Sequence, residues 1–524
     1  MKTEETSGNA SITRREAMKA VTATVLGADI ARRTTWGQTP ERRKEPYKVL
    51  WNDDTTNIPK WTPGEVFQDD QLRAAIDSVS DKGVDAYMLS PGLGWVPWWK
   101  SKVYPDHYQW RLEAFGVKPD CFGKYMLAGG DLVRALIDHC RQRRLAPFVS
   151  YRLNDNHHQE QRHSVWVSRF YEEHPEYLLN PEHYEKQGYS KERGQNWAIP
   201  AVRDYKLSLI RELCENYDFD GLELDFLRDD TLFRQKETTE EQRVAWISEF
   251  VREVRRALDG GPNQSRRRHL CVRIPCEIRK HGSSGINVAR FVEAGVDMFN
   301  LSNWYHTAQR TDLAEVRSLA PQAAVYLEMH YVTANKMASG YDTAAFPRTS
   351  NEQFYTTAHL AYARGADGVS FFNMQYNKRA YAVLPRITQR AWLAEQPQYY
   401  FLGNVPYYRQ VPVTLAPGKP HSLTLDMAPP PLFPRKRIRL RVHAEVPVGN
   451  ANFEATLNGR RLTPSSDVSA FFNNPYDDMI SMPAQRRAFS ASGVDLRNGI
   501  NELTLMSEDE VRVTYLDVMV ERDT

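Results

Sequence analysis

Asp218-Phe219-Asp220-Gly221-Leu222-Glu223-Leu224-Asp225-Phe226-Leu227-Arg228-Asp229-Asp230 has the pattern of a short strand that carries acids where a buried strand normally carries apolar side chains. Successive side chains of a strand point to opposite faces, so Leu222, Leu224 and Phe226 share one face. The other face carries Gly221, Glu223, Asp225 and Leu227. In a parallel barrel the apolar face lies under the helices, and the other face points to the axis and ends at the catalytic mouth. Asp225 is therefore the first candidate for chemistry.

Strand and helix patterns alternate on both sides of this stretch. Strands are predicted at 47–52, 84–90, 146–154, 270–277, 296–302, 324–330 and 367–373, and the acidic stretch is the fourth of eight. Eight strand-helix repeats over about 350 residues predict an α/β fold of the (β/α)₈ barrel type. No Gly-x-Gly-x-x-Gly follows the first strand, so a dinucleotide cofactor is not expected. No other cofactor is predicted.

The pattern changes after residue 396 to short alternating runs separated by turn residues. Asn458-Gly459 and Asn498-Gly499 are typical hairpin turns between such runs. The sequence therefore predicts three parts: a leader at 1–45, a barrel at 46–396 and a β-sandwich at 397–524. The sandwich resembles the jelly-roll modules of many glycoside hydrolases and is expected to fold separately, without being needed for chemistry.

The charge balance and the cysteines narrow the possible partners. Lys and Arg number 68 against 66 Asp and Glu, so a neutral partner is expected rather than nucleic acid. No stretch approaches the roughly 20 apolar residues of a membrane span, so membrane insertion is not expected. The five cysteines are odd in number and show no Cys-x-x-Cys, which indicates buried thiols rather than disulfides or zinc. The sequence leaves the oligomeric state open.

The N-terminus contains Arg14-Arg15 followed by Met18-Lys19 and a mildly apolar run to Ala28. This arrangement resembles a twin-arginine export signal, which predicts a periplasmic or extracellular protein. A disordered tail with a chance arginine pair is the alternative.

Loops after the predicted strands are rich in aromatic and polar residues. Trp95, Trp98 and Trp99 cluster in the long loop after the second strand. Flat indoles suit the apolar faces of sugar rings, so these three predict a sugar platform, although long loops also need aromatic anchors. Further substrate contacts are predicted at other strand ends: Arg152, Asn154, His157, His158, Arg228, Asn303, Trp304, His330 and Asn373.

Other inward-facing strand positions also carry charge. By the same alternation, Glu277 on the fifth strand and Glu328 on the seventh point to the axis near the mouth. Deeper in the barrel, Glu223 and Arg273 stand at comparable heights on neighbouring strands. Because an unpaired charge there would be too costly, they are predicted to form a buried ion pair.

The motif Phe219-Asp220-Gly221-x-Glu223-x-Asp225-Phe226, with a complete barrel and a C-terminal sandwich, resembles the (β/α)₈ glycoside hydrolases, especially uncharacterised bacterial glycosyl-hydrolase-like proteins. The resemblance implies cleavage of an oligosaccharide or polysaccharide by two carboxylic acids, with carbohydrate as the partner. Leu227 stands where chitinase-like enzymes carry their proton donor. Glu328 fits the strand-seven nucleophile of a large retaining clan, whereas Asp225 fits the strand-four nucleophile of α-galactosidase-like enzymes.

Asp225 and Glu328 are accordingly predicted as the catalytic pair. Asp225 is the expected nucleophile or base and Glu328 the expected acid, although the roles could be exchanged, and Glu277 is the reserve for either role.

Two other classes remain open. Asn154, His157 and His158, with Asp225, Glu277 and His330, offer oxygen and imidazole ligands of the kind used by metal-dependent sugar isomerases or hydrolases of this fold. No His-x-His or His-x-x-x-His spacing supports such a site, so no metal is predicted. A barrel that only binds glycan is the second alternative.

Overall fold

The computed structural model describes residues 47–58, 65–156, 163–183, 193–261, 266–335, 346–449 and 451–523. These residues belong to one compact unit, 47–524. Among them, no helix combines the length and the apolar character that crossing a bilayer requires. The predicted export signal lies outside the described residues.

Eight parallel strands close into a barrel, which confirms the predicted fold class. In sheet order they are β1, β10, β9, β8, β7, β6, β5 and β2, and β2 pairs with β1 again. Their bounds are β1 Val49–Asp53, β2 Ala86–Leu89, β5 Ala146–Arg152, β6 Gly221–Asp225, β7 His269–Pro275, β8 Met298–Ser302, β9 Ala324–His330 and β10 Gly368–Phe372. A short hairpin, β3 Gly92–Leu93 with β4 Val96–Pro97, lies in the loop after β2.

Helices alternate with the barrel strands along the chain. They are α1 Asp69–Ser80, α2 His107–Phe115, α3 Cys121–Leu127, α4 Leu132–Gln142, α5 Arg169–Glu173, α6 Pro200–Asn216, α7 Glu240–Asp259, α8 Val288–Glu293, α9 Leu313–Leu319, α10 Asn351–Ala363 and α11 Arg390–Ala394. The predicted capping boxes are present: Thr239 with Gln242 begins α7, and Ser350 with Gln353 begins α10.

The lower half of the barrel axis is filled by apolar side chains. The cluster consists of Leu50, Ala86, Met88, Ala146, Phe148, Cys271, Met298 and Tyr326. Gly221 occupies the inward position at the start of β6, and a Cβ there would lie 2.1 Å from the Phe148 ring. Because this part of the axis is filled with apolar side chains, we expect the chemistry at the polar inward residues above it.

The C-terminal part consists of two antiparallel sheets packed on a shared apolar core, as the predicted β-sandwich requires. One sheet contains β11 Gln398–Leu402, β12 Val413–Leu415, β14 Lys436–Ala444, β17 Thr463–Ser465, β18 Arg486–Ser492 and β20 Val511–Arg522. The other contains β13 His421–Met427, β15 Phe453–Leu457, β16 Arg460–Arg461 and β19 Gly499–Ser507. The sequence predicts strands at 422–427, 437–446, 453–458, 502–506 and 511–520, which correspond to β13, β14, β15, β19 and β20, but it does not predict β11, β12, β16, β17 or β18.

Buried hydrogen bonds join the barrel to the sandwich. Gln309, between β8 and α9, donates to the Tyr399 carbonyl at 3.0 Å and accepts from the Phe401 N–H at 2.9 Å. Arg364 at the end of α10 pairs with Asp426 of β13 at 2.5 Å. The predicted boundary at residue 396 stays a prediction, but it falls just before a strand that packs on the barrel.

Candidate active site

The last inward positions of neighbouring barrel strands bring charged side chains to one level. Asp225, the last residue of β6, stands beside Arg152 of β5 and Arg273 of β7 in the strand register. Glu328 of β9 is inward-facing, as the alternation predicts, and stands beside Ser370 of β10. The candidate carboxylates therefore meet at the axis above the apolar floor.

One guanidinium holds both of them. Arg273 Nη1 donates to Asp225 Oδ1 at 2.9 Å, while Nη2 and Nε donate to Glu328 at 2.7 and 2.9 Å. All three side chains are 1% exposed. The predicted pair of Arg273 with Glu223 is therefore wrong, because the strand register places Asp225 beside Arg273 and Glu223 beside Cys271.

The two carboxylates differ in how many donors they meet. Glu328 also accepts from Ser302 Oγ at 2.6 Å and from Asn300 Nδ2 at 3.2 Å, so both of its oxygens are occupied. Asp225 Oδ1 accepts from the Leu227 N–H at 2.8 Å as well as from Arg273, whereas no described residue donates to Oδ2. Asp225 thus has an oxygen left for a ligand, whereas both oxygens of Glu328 are engaged.

Glu223 lies one layer deeper and is fully buried. Asn52, Ser150 and Asn300 donate to its carboxyl at 2.8, 2.7 and 3.0 Å. Burial, and then the neighbouring charges of Asp225 and Glu328, raise the pKa of Glu223 to about 7.

Arg152 and Arg228 surround the mouth above Asp225. Arg152 pairs with Asp54 at 2.8 Å and with Asp155 at 2.7 Å, and Arg228 lies 4.0 Å from Asp54 and 5.0 Å from the centre of the Tyr305 ring. Burial, followed by the charge of Arg152, lowers the pKa of Arg228 from its usual range. Both predicted contacts therefore lie at the mouth, bound to acids.

His330, the last residue of β9, lies above Glu328 between aromatic rings. Its ring centre is 5.6 Å from those of both Phe372 and Tyr305. Neither ring nitrogen has a hydrogen-bond partner among the described residues. Burial, with His306 and Arg273 adding to it, holds the pKa of His330 well below its usual range, so the imidazole is neutral.

The predicted asparagine contacts hold loops together. Asn154 donates to the carbonyls of Gln195 and Thr231 at 3.2 and 2.9 Å, and Asn373 accepts from the Asp54 N–H at 2.9 Å. These amides are engaged with backbone groups, which explains their burial. Sequence alone does not separate an amide that binds a loop from one that binds a sugar hydroxyl.

The predicted tryptophan platform is wrong for Trp98 and Trp99. They are 1% and 2% exposed; Trp98 stacks on Phe122 at 4.0 Å, and Trp99 donates to Glu212 at 2.9 Å. Trp95 stacks on Tyr205 and lies under the Lys206 ammonium at 3.7 Å. The long loop folds back on helices α3, α5 and α6, so its indoles anchor it.

Trp304 lies two residues beyond β8 and is partly exposed. Its backbone is left-handed with φ of 58°, and its carbonyl accepts from Arg273 Nη2 at 2.8 Å. Its indole N–H donates to Tyr407 at 2.7 Å. Tyr407 precedes β12 in the sandwich, and no motif in the sequence identified it as a residue of the mouth.

Glu277 lies two residues beyond β7 and is 1% exposed. Its Oε2 accepts from the Tyr408 N–H at 3.4 Å, and Arg279 pairs with its Oε1. The reserve carboxylate is thus beside the segment that also contains Tyr407.

The predicted contacts His157 and His158 lie outside the described residues. Among the described residues, no group of three His, Cys, Asp or Glu side chains is placed to hold a metal ion. The five cysteines are buried and form no disulfide, as expected.

No protein-family model matches this sequence, and no curated protein is significantly similar to it. Among solved structures, the neighbours include glycoside hydrolases. The glycoside hydrolase domain of PgaB (BpsB) from Bordetella bronchiseptica is 10% identical with a TM-score of 0.42, covering 66% of this chain and 99% of that one. α-L-Fucosidase isoenzyme 2 from Paenibacillus thiaminolyticus is 12% identical with a TM-score of 0.39, covering 67% and 51%. The N-acetyl-β-hexosaminidase of Streptomyces plicatus is 13% identical with a TM-score of 0.38, covering 66% and 64%.

Proposed function

We propose that this chain is a glycoside hydrolase that cleaves an oligosaccharide or polysaccharide with two carboxylic acids. The supporting observation is that Asp225 and Glu328, from different barrel strands, lie on the same guanidinium at the axis. The Phe372 ring lies 4.5 Å from this guanidinium, the Tyr305 ring lies 5.0 Å from the Arg228 guanidinium, and Trp304 is in ring contact with Tyr305. Carboxylates and aromatic rings are the groups that glycosidic cleavage and sugar binding need.

Asp225 is the proposed nucleophile or base, because Arg273 and the Leu227 N–H fix one oxygen and leave the other open. Glu328 is the second member of the pair. Arg273 and Ser302 donate to its carboxyl group, so a substrate can contact Glu328 only if its binding loosens these hydrogen bonds. Glu277 is the alternative acid.

A panel of p-nitrophenyl glycosides of both anomers tests the reaction. Asp225→Asn should lose at least about 10³-fold in turnover, and azide should partly restore Asp225→Ala only, because a small anion can replace the missing carboxylate. The acid variant, Glu328→Gln or Glu277→Gln, should retain cleavage of activated aryl glycosides and lose cleavage of an unactivated oligosaccharide.

Near-normal turnover by Asp225→Asn would remove Asp225 from the mechanism. A parent protein that binds oligosaccharides but cleaves none would instead indicate a glycan-binding barrel, for which the buried, ion-paired state of both carboxylates is the favouring observation.

A further inference from the structure

The segment between β11 and β12 contacts the mouth of the barrel through Tyr407. Asn303, just after β8, accepts from the Tyr407 N–H at 3.2 Å and donates to the Tyr407 carbonyl at 3.3 Å. The side-chain amide thus holds both backbone groups of one residue. Tyr407 is 4% exposed, so its ring is buried against the barrel although it belongs to the C-terminal part of the chain.

The hydroxyl of Tyr407 lies between two residues of the mouth. It accepts from Trp304 Nε1 at 2.7 Å and donates to Asp230 Oδ2 at 3.1 Å. Burial and the charge of Asp230 raise the pKa of Tyr407 far above its usual range, so the group stays a neutral hydroxyl. A neutral hydroxyl can make both bonds at once, and together they fix its orientation.

Trp304 is therefore held at both ends. Its carbonyl binds Arg273, the guanidinium that also holds Asp225 and Glu328, and its indole binds Tyr407. The left-handed backbone of Trp304 is uncommon for a bulky residue and persists only where its surroundings impose it. The two hydrogen bonds are among the contacts that hold it in place.

We propose that Tyr407 is a positioning residue that holds the Trp304 indole as the stacking face for a sugar ring beside Asp225. This inference rests on the proposed glycosidase function. Trp304 is partly exposed while Trp98 and Trp99 are covered, so a ligand can reach part of the Trp304 side chain. The C-terminal sandwich then contributes to substrate binding through the segment that leads into it.

Three variants of the full chain test the inference. Tyr407→Phe removes the hydroxyl alone, and Trp304→Phe removes the indole. Tyr408→Phe is the matched control, because it removes a neighbouring hydroxyl that bonds Asp312 at the start of α9. Labelling with 5-fluorotryptophan gives up to twelve fluorine signals, and the signal lost in Trp304→Phe identifies Trp304.

Tyr407→Phe should shift the Trp304 signal, whereas Tyr408→Phe should leave it in place. On a glycoside that the parent cleaves, Tyr407→Phe should raise KM about five- to tenfold, as loss of one hydrogen bond allows, and leave kcat within about twofold. An unmoved Trp304 signal, or a loss of kcat at constant KM, would overturn the inference.

The two proposals fail in different ways. If the parent cleaves no glycoside, the proposed function fails, while the fluorine signals still decide whether Tyr407 fixes Trp304. A shifted signal supports the positioning role, and an unshifted one rejects it.

Discussion

Arg273 shows how a buried charge is accommodated in this barrel. Its guanidinium donates to Asp225, to Glu328, to Ser302 Oγ and to the Trp304 carbonyl. Neighbouring acids raise its pKa despite burial, so it stays charged. Because this one cation serves two carboxyl groups, removing Arg273 would leave both of them in the interior without their buried partner.

Arg273→Lys should therefore destabilise the protein by about 3 to 5 kcal/mol. A lysine ammonium is a compact point charge and cannot reproduce the planar set of donors that reaches both carboxylates. Urea unfolding of the parent and the variant measures the difference. Arg279→Lys is the control, since its side chain is 72% exposed. Equal stability of Arg273→Lys and the parent would show that the hydrogen bonds of the guanidinium to Asp225 and Glu328 do not stabilise the fold.

The raised pKa of Glu223 predicts that the free energy of unfolding depends on pH. Its pKa is raised from 4.5 to about 7, so between these values the folded state binds a proton that the unfolded state has released. Stability should therefore fall as pH rises from about 4.5 to 7, by up to about 3 kcal/mol from this group.

Glu223→Gln should flatten that fall, as measured by denaturant unfolding at several pH values. Burial also raises the pKa of Asp53 to about 6, so the free energy of unfolding falls with rising pH through this group too. That fall remains in Glu223→Gln and is the baseline for the comparison. An unchanged slope in Glu223→Gln would show that Glu223 titrates normally in the folded protein.

At the scale of elements, the long loop after β2 is an anchored segment. Trp98 donates to the Tyr108 hydroxyl at 2.8 Å and stacks on Phe122 of α3, and its backbone N–H donates to the Pro91 carbonyl. The loop after β8, by contrast, presents Trp304 with part of its surface exposed. The tryptophans of these two loops therefore differ in how far their indoles are covered.

Trp98→Ala should lower stability by about 3 to 5 kcal/mol, the cost of removing a large buried side chain, and should leave glycoside affinity nearly unchanged. Trp304→Ala should do the reverse, with a weaker affinity corresponding to roughly 1 to 3 kcal/mol, by analogy with stacking of bases on aromatic side chains. Thermal unfolding and ligand titration separate the two. A stable Trp98→Ala variant with weakened binding would restore the platform hypothesis.

At the scale of the molecule, buried hydrogen bonds join the barrel to the sandwich, and each part would lose these partners if the other were removed. The Tyr515 hydroxyl of β20 accepts from Gln353 of α10 at 3.2 Å. The Thr356 hydroxyl of α10 accepts from the Tyr399 N–H of β11 at 2.7 Å. Phe401 and Tyr515 form an apolar cluster with Ala334 from the loop after β9. Separation would expose this cluster and leave Gln309 and Gln353 without these partners.

A chain of residues 46–396 should accordingly melt at a lower temperature than the full protein, or aggregate. The sequence predicted an independent barrel, and the buried contacts of Gln309 with β11 are the reason for the opposite expectation. A chain of 46–402, which retains β11, should recover part of the difference. Identical melting of the 46–396 barrel and the full chain would support the original boundary.

The sequence by itself determined the order of elements, because alternation of period two on the strands and of three to four on the helices is local. It also placed Asp225 and Glu328 inward, since a strand's parity follows from its own residues. Local patterns do not report the register between neighbouring strands, and so Arg273 was wrongly predicted to pair with Glu223 rather than with Asp225 and Glu328. The tertiary structure alone decided that Trp98 is covered and that Tyr407, over 100 residues beyond Trp304, meets it at the mouth, because burial and such contacts depend on which distant segments pack together.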